Sequence, residues 1–147
     1  MPTIKRTSQA HWQGDLRDGQ GWLKTTSGVL TETPYSFGTR FEQQPGTNPE
    51  ELIAAAHAGC YAMALSDTMS EAGHKPESVQ ITATCTLESQ PEGGFRIIRM
   101  DLRVVGRAPG IDQATFEALA ERADEGCPVS NLLRPGLEIA IEARLET

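Results

Sequence analysis

Cysteine is scarce in this chain, and its three copies stand far apart at positions 60, 85 and 127. No two fall in a CxxC or zinc-knuckle spacing, which removes a local redox motif and a local zinc site. Positive charge is short as well. Thirteen Lys and Arg against twenty Asp and Glu leave a formal net charge of −7, and no basic run collects them. A phosphate-backbone partner is therefore not expected, and nucleic acid is excluded. No stretch approaches the roughly 18 apolar residues of a membrane span. No GxGxxG or P-loop offers a nucleotide site. His11, His57 and His74 lie among scattered carboxylates without ligand spacing, so neither a metal nor another cofactor is expected. The opening MPTIKRTSQAHWQGD has no apolar core of the kind a signal peptide carries. Three cysteines without an export signal point to the reducing cytoplasm, where a disulfide is usually transient and catalytic.

What is present organises into one domain, residues 1–147, large enough to bury a modest core. Short strand-like runs open the chain: Ala10 to Trp12, Gly21 to Thr26, Gly28 to Leu30 and Tyr35 to Phe41, separated by turn residues. From Asn48 the apolar period becomes helical. Asn48 is placed to cap, Pro49 fits the first helical position, and Glu51 three residues past the cap completes a capping box. Leu52, Ile53, Ala56, Cys60, Met63 and Ala64 recur at three- and four-residue steps, with alanines on the other sides. This helix is expected to be buried nearly all round and to end at Gly73.

Alternation takes over beyond it. Val79, Ile81, Ala83, Cys85 and Leu87 share one face of a strand. Pro91 to Gly94 reads as a turn, and Phe95 to Val105 returns as the partner strand. Asp112 caps a second helix, Gln113 to Glu125, whose stripe is Phe116, Leu119, Ala120 and Ala123. A last strand covers Leu137 to Leu145. The layout is α+β, with antiparallel sheets and no doubly wound parallel core.

Two segments carry the chemistry: NPEELIAAAHAGCYAMALSDTMSEAG (48–73) and GCPVSNLL (126–133). Their cysteines form either a tertiary redox pair or two unrelated packed thiols. Cys60 lies about eleven residues past the helix cap, beyond the reach of the helix dipole. A reactive Cys60 needs a cation from another element. Cys127 sits between Gly126 and Pro128 at the start of a new helical turn, where free N–H groups favour a thiolate. On these grounds alone Cys127 is the more reactive thiol. Cys85, on the apolar face of a strand, is structural. His57, one turn before Cys60, allows a Cys–His dyad for acyl transfer, against a packed or dimer-contact histidine. Glu51 is occupied by capping, whereas Glu50 is free for a partner. Glu50 and Cys60 are separated by about 15 Å along the helix axis and roughly 80° around it, so they cannot touch. A long Arg must bridge them, or the carboxylate must come from a second chain. A helix so rich in small apolar residues also asks for cover on every side, which favours dimerisation.

The segments AHWQGD (10–15), SGVL (27–30), PYSFGTRFE (34–42), GTNPEELIAAAHAGC (46–60), PGIDQATFEALAE (109–121) and GCPVSNLL (126–133) resemble the osmotically inducible protein C branch of the OsmC/Ohr peroxidase family. The resemblance runs essentially the full length. It implies an OsmC-like fold, with sheets wrapping a long central helix in an intertwined homodimer, and a stress-related, cofactor-free peroxidase that prefers organic hydroperoxides to hydrogen peroxide. Carried over residue by residue, it makes Cys60 the peroxidatic thiol and Cys127 the resolving one, reversing the order that helix-end physics gives. Arg40 in GTRFE becomes the thiolate-activating residue, and Glu50 the carboxylate that positions it. Arg17 lies where the organic hydroperoxide resistance branch carries its Arg. Met63, Phe41, Leu132 and Leu133 are candidates for receiving an alkyl tail. Recycling falls to an external dithiol, for which the resemblance points to lipoyl groups on lipoylated proteins. Gly59 departs from the Ala common before the cysteine. The rival readings are a Cys–His hydrolase or acyl transferase and a non-catalytic, stress-related binding protein.

Overall fold

Two compact units make up the chain, Met1–Leu52 and Ile53–Thr147, and the computed structural model describes residues 2–146. In the first unit β1 (Ser8–Gln13), β2 (Gln20–Thr25) and β3 (Thr33–Tyr35) pair antiparallel in that order. Gly21 of β2 sits between Trp12 and Tyr35 in the register. A Cβ there would come within 2.6 Å of the Trp12 ring and 3.0 Å of the Tyr35 ring. The missing side chain lets the two rings meet edge to face across the middle strand, with centroids 5.3 Å apart.

Two expected strands in this unit take other forms. Residues 28–30 form a turn, because Gly28 has φ +83° and the Ser27 and Thr25 hydroxyls accept from the Val29 and Leu30 N–H groups. The run Tyr35 to Phe41 holds only the end of β3 and then a short helix, α1 (Phe37–Phe41). Ser36 starts it with a reciprocal cap. Its side chain accepts from the Thr39 N–H at 3.3 Å, while the Thr39 hydroxyl accepts from the Ser36 N–H at 2.9 Å.

The long helix α2 (Pro49–Glu71) begins at the expected Asn48 cap, and of the expected capping box the described residues show the Asn48 half. The Asn48 Oδ1 accepts from the Glu51 N–H at 2.8 Å. At the far end the His74 and Gly73 N–H groups return to the Met69 and Ser70 carbonyls, with Gly73 at φ +86°. Its buried stripe differs from the expected one. His57, Tyr61, Leu65 and Met69, at strict four-residue steps, are fully covered. Ala55, Ala56 and Gly59 are exposed, and Met63 is 77% exposed. Burial nearly all round thus does not hold for the single chain, because one side of α2 carries the whole contact with the core.

In the second unit β4 (Ser78–Ser89) and β5 (Phe95–Arg107) form an antiparallel hairpin. Val79, Ile81, Ala83, Cys85 and Leu87 of β4 are its more buried residues, as the alternation predicts. β6 (Glu138–Leu145) adds to β5 in parallel, from Arg99 opposite Glu138 to Gly106 opposite Leu145. The antiparallel expectation therefore fails at this one pairing. The intervening chain supplies α3 (Gln113–Gly126) and α4 (Pro128–Leu133), a connection long enough to bring the strand back in the same direction. The core joins Tyr61, Leu65 and Met69 of α2 to Met100, Leu102 and Val104 of β5. Phe116, Leu119, Ala120 and Ala123 of α3 and Cys127 complete it. The Tyr61 hydroxyl donates to the Ala120 carbonyl at 2.7 Å, and burial pushes its phenol well above the usual range.

Candidate active site

In the second unit, α2 presents His57 and Cys60 one turn apart, and the α3–α4 junction presents Cys127 and Ser130 at the same spacing. Cys127 closes α3 and opens α4, with Pro128 as the first residue of the new helix. The two pairs meet. The Cys60 thiol faces the Cys127 thiol, and the backbone N–H of Val129 acts on it. His57 Nε2 and Ser130 Oγ lie 2.8 Å apart, both fully buried. Cys60 and Cys127 are both reduced thiols.

Access separates the two facing thiols. Cys127 is 0% exposed, whereas Cys60 is only half-buried. The free N–H of the α4 start, which sequence reasoning assigned to Cys127, turns to Cys60 instead. Even so, the Cys60 pKa lies above its ordinary value. Burial is the largest cause, the Val129 N–H pulls in the opposite direction, and the adjacent Cys127 raises it further. The groups facing Cys60 therefore hold it as a thiol, and a thiolate requires an added cation.

His57 does not serve as the base of a dyad. Among the described residues its hydrogen bond goes to Ser130 and none joins it to Cys60. Burial lowers its pKa, an effect opposed by the carboxylate of Asp124 and assisted by the guanidinium of Arg134, so the imidazole is neutral near pH 7. Its Nδ1 has no hydrogen-bond partner among the described residues. Ser130 is the partner that sequence reasoning missed. The signal was there in the three-residue step from Cys127, which repeats the step from His57 to Cys60.

In the first unit, Arg40 and Glu50 form the expected pair. Arg40 Nη2 donates to Glu50 Oε1 at 2.8 Å, and Nε donates to Oε1 at 3.0 Å and Oε2 at 3.3 Å. Glu50 is buried, and Arg40 is a third exposed. Their supports are local. The Asn48 amide donates to the Thr39 carbonyl at 3.0 Å, tying the start of α2 to the residue before Arg40. Arg17 lies over the Phe37 ring at 4.8 Å and, among the described residues, makes no ion pair. Of the residues expected to receive an apolar tail, Met63 and Leu132 are exposed, Leu133 is half-buried, and Phe41 packs on Phe37 and under the Arg40 guanidinium. No group of three or more His, Cys, Asp or Glu among the described residues is placed to hold a metal ion. No helix among them is long and apolar enough to cross a membrane.

Residues 41–142 match the family model described as OsmC-like protein. The chain is 46% identical over 145 residues to Peroxiredoxin OsmC of Escherichia coli, covering 99% of both chains. It is 34% identical over 97 residues to the organic hydroperoxide resistance protein of Xanthomonas axonopodis, covering 65% of this chain and 66% of the relative. Among solved structures, an organic hydroperoxide resistance protein from Elizabethkingia anophelis aligns with a TM-score of 0.73 at 27% identity, over 99% of this chain and 100% of that one. With two thirds of its length inside the family model and a near-full-length relative at this identity, the chain belongs to the OsmC-like family.

Proposed function

We propose that the protein is a thiol-dependent peroxidase that reduces organic hydroperoxides, and hydrogen peroxide less well. The observation that carries this reading is the half-buried Cys60 thiol facing a sealed Cys127 thiol. The relatives named peroxiredoxin and organic hydroperoxide resistance protein support it. Cys60 attacks as thiolate. A sulfur–oxygen bond forms, the O–O bond breaks, sulfur is oxidised by two electrons, and the departing alkoxide takes a proton and leaves as alcohol. Cys127 then attacks the Cys60 sulfenic acid. The disulfide forms, the S–O bond breaks, and water leaves with the Cys127 proton. An external dithiol reduces the disulfide and is itself oxidised; lipoyl groups on lipoylated proteins are the proposed source.

Arg40 supplies the cation that the raised Cys60 pKa calls for, and Glu50 holds the guanidinium by its bidentate grip. Leu132 and Leu133 offer apolar surface for an alkyl tail, which favours organic over small polar peroxides. The family match crosses the boundary between the compact units, which supports reading residues 1–147 as one functional domain. The active species is a homodimer working in the cytoplasm. The hydrolase alternative loses its base, because His57 is engaged with Ser130.

The thiol assignments predict distinct failures. Cys60→Ser should abolish consumption of tert-butyl hydroperoxide. Cys127→Ser should complete one turnover and then accumulate Cys60 sulfinic acid, read by intact-protein mass spectrometry. Sustained turnover by Cys60→Ser with dihydrolipoamide would overturn the assignment.

A further inference from the structure

Beside the two thiols lies a second contact of the same build. On α2, His57 precedes Cys60 by three residues; on the α3–α4 junction, Ser130 follows Cys127 by three. His57 meets Ser130 and Cys60 meets Cys127. Residues three apart share a helix face, so the two contacts are successive rungs of one ladder between segments that run in opposite directions. The lower rung is the pair that must become a disulfide. The upper rung is polar, fully buried and chemically inert in the peroxidase cycle.

The short helix needs such a rung. α4 has six residues, too few to persist alone. Its cap residue, Cys127, makes no side-chain capping hydrogen bond. Its other polar anchors run to α3: the Asn131 amide donates to the Glu125 carbonyl at 3.0 Å, and Arg134 pairs with Asp124 at 2.7 Å. Those contacts set α4 against α3 and leave its seat on α2 open. Among the described residues, the remaining polar contacts between α4 with its cap and α2 are those of Cys60 itself and the His57–Ser130 bond. A leucine at position 57 would fill core volume without a buried ring nitrogen left unpartnered. Retaining the imidazole has a structural cost that its bond to Ser130 must justify.

We infer that the His57–Ser130 hydrogen bond is a positioning device for the second chemical step, seating α4 on α2 so that Cys127 stays aimed at the Cys60 sulfur. The inference rests on the peroxidase reading for its biological consequence, though not for its geometry. A sulfenic acid on Cys60 has two fates: attack by Cys127, which closes the disulfide and releases water, or attack on a second hydroperoxide, which gives sulfinic acid and a second alcohol. His57 and Ser130 bias that choice without touching the reacting atoms.

The test separates closure from peroxide attack. Reduced full-length protein is first loaded at Cys60 with an aromatic thiolate from dithionitrobenzoate. Release of that coloured thiolate by Cys127 then reports closure: the Cys60–Cys127 bond forms as the mixed disulfide breaks. Ser130→Ala should slow this release at least tenfold. In the second arm, tert-butyl hydroperoxide should consume the Cys60 thiol at a rate within about threefold of the parent, and the sulfinic fraction should rise with peroxide concentration. Ser130→Thr, which keeps the hydroxyl, should restore closure. His57→Gln places an amide near the Nε2 position and should recover part of it, while His57→Leu should not. Closure in Ser130→Ala within twofold of the parent overturns the inference. So does an equal loss in both arms, which would mark general loosening. A parent protein that closes on the aromatic thiolate yet leaves hydroperoxide untouched would instead refute the peroxidase reading and leave the ladder standing.

Discussion

At the scale of single residues, the raised Cys60 pKa sets the problem that Arg40 and Glu50 are proposed to solve. Burial and the neighbouring Cys127 outweigh the Val129 N–H, so the thiol stays protonated unless a cation is brought to it. Arg40 is prepared for that task because Glu50 grips one edge of its guanidinium through Nε and Nη2, leaving the other edge free to face a sulfur. Arg40→Ala should move the pH midpoint of Cys60 alkylation by iodoacetamide upward, and the thiolate present at neutral pH should fall roughly tenfold each time that midpoint climbs by one pH unit. Arg40→Lys should recover little, since an ammonium lacks the planar fork. Glu50→Gln should keep the helix start, because the Asn48 cap bonds to Glu51, yet slow peroxide attack by releasing the guanidinium. An unmoved titration in Arg40→Ala together with a shifted one in Arg17→Ala would transfer the activating role to Arg17.

At the scale of elements, the junction before α2 does more than start a helix. Asn48 accepts from the Glu51 N–H and donates to the Thr39 carbonyl, so one side chain caps α2 and anchors α1 beside Arg40. Asn48→Ala removes both bonds and should cost about 1–2 kcal/mol, the usual range for a lost cap. Asn48→Asp keeps the acceptor and should cost less. Chemical denaturation of the three proteins checks the order, and equal stabilities would deny the double role. The caps of α2, the stripe of α3 and the alternation of β4 were legible in the sequence because each is set within a few residues by periodicity or a local hydrogen bond. The small helix α1 was hidden because Tyr35 to Phe41 reads as strand by composition, while its Ser36–Thr39 cap is a weak signal. The direction of β6 depends on where the long connection through α3 and α4 lands, which no local pattern encodes. The site divides in the same way. Cys60, Cys127, Arg40 and Glu50 were singled out as candidates by spacing and family motifs, whereas the three-residue step from Cys127 to Ser130 gains meaning only once α4 lies against α2. The free N–H groups at the start of α4 were expected to favour Cys127, and that of Val129 acts on the other sulfur.

At the scale of the whole molecule, α2 poses a question of cover. Its core side is a clean four-residue stripe, but Ala55, Ala56, Gly59 and Met63 lie exposed on it, with Met63 77% open to solvent. Small side chains at such positions let another backbone approach closely, and an exposed methionine supplies adaptable apolar surface. A second copy of this chain is the occupant that the proposed homodimer puts there. The single chain also leaves Cys60 with a raised pKa, so assembly and thiol activation are expected to rise together. Sedimentation should give a species of about twice the 15.9 kDa chain mass. Met63→Glu places a charge on the exposed side while leaving the buried stripe intact, and should shift the protein towards monomer with unchanged helix content by circular dichroism. Hydroperoxide turnover should fall with the dimer fraction across a dilution series. A Met63→Glu monomer that keeps the parent's turnover would show that one chain suffices, and would separate the peroxidase chemistry from the proposed assembly.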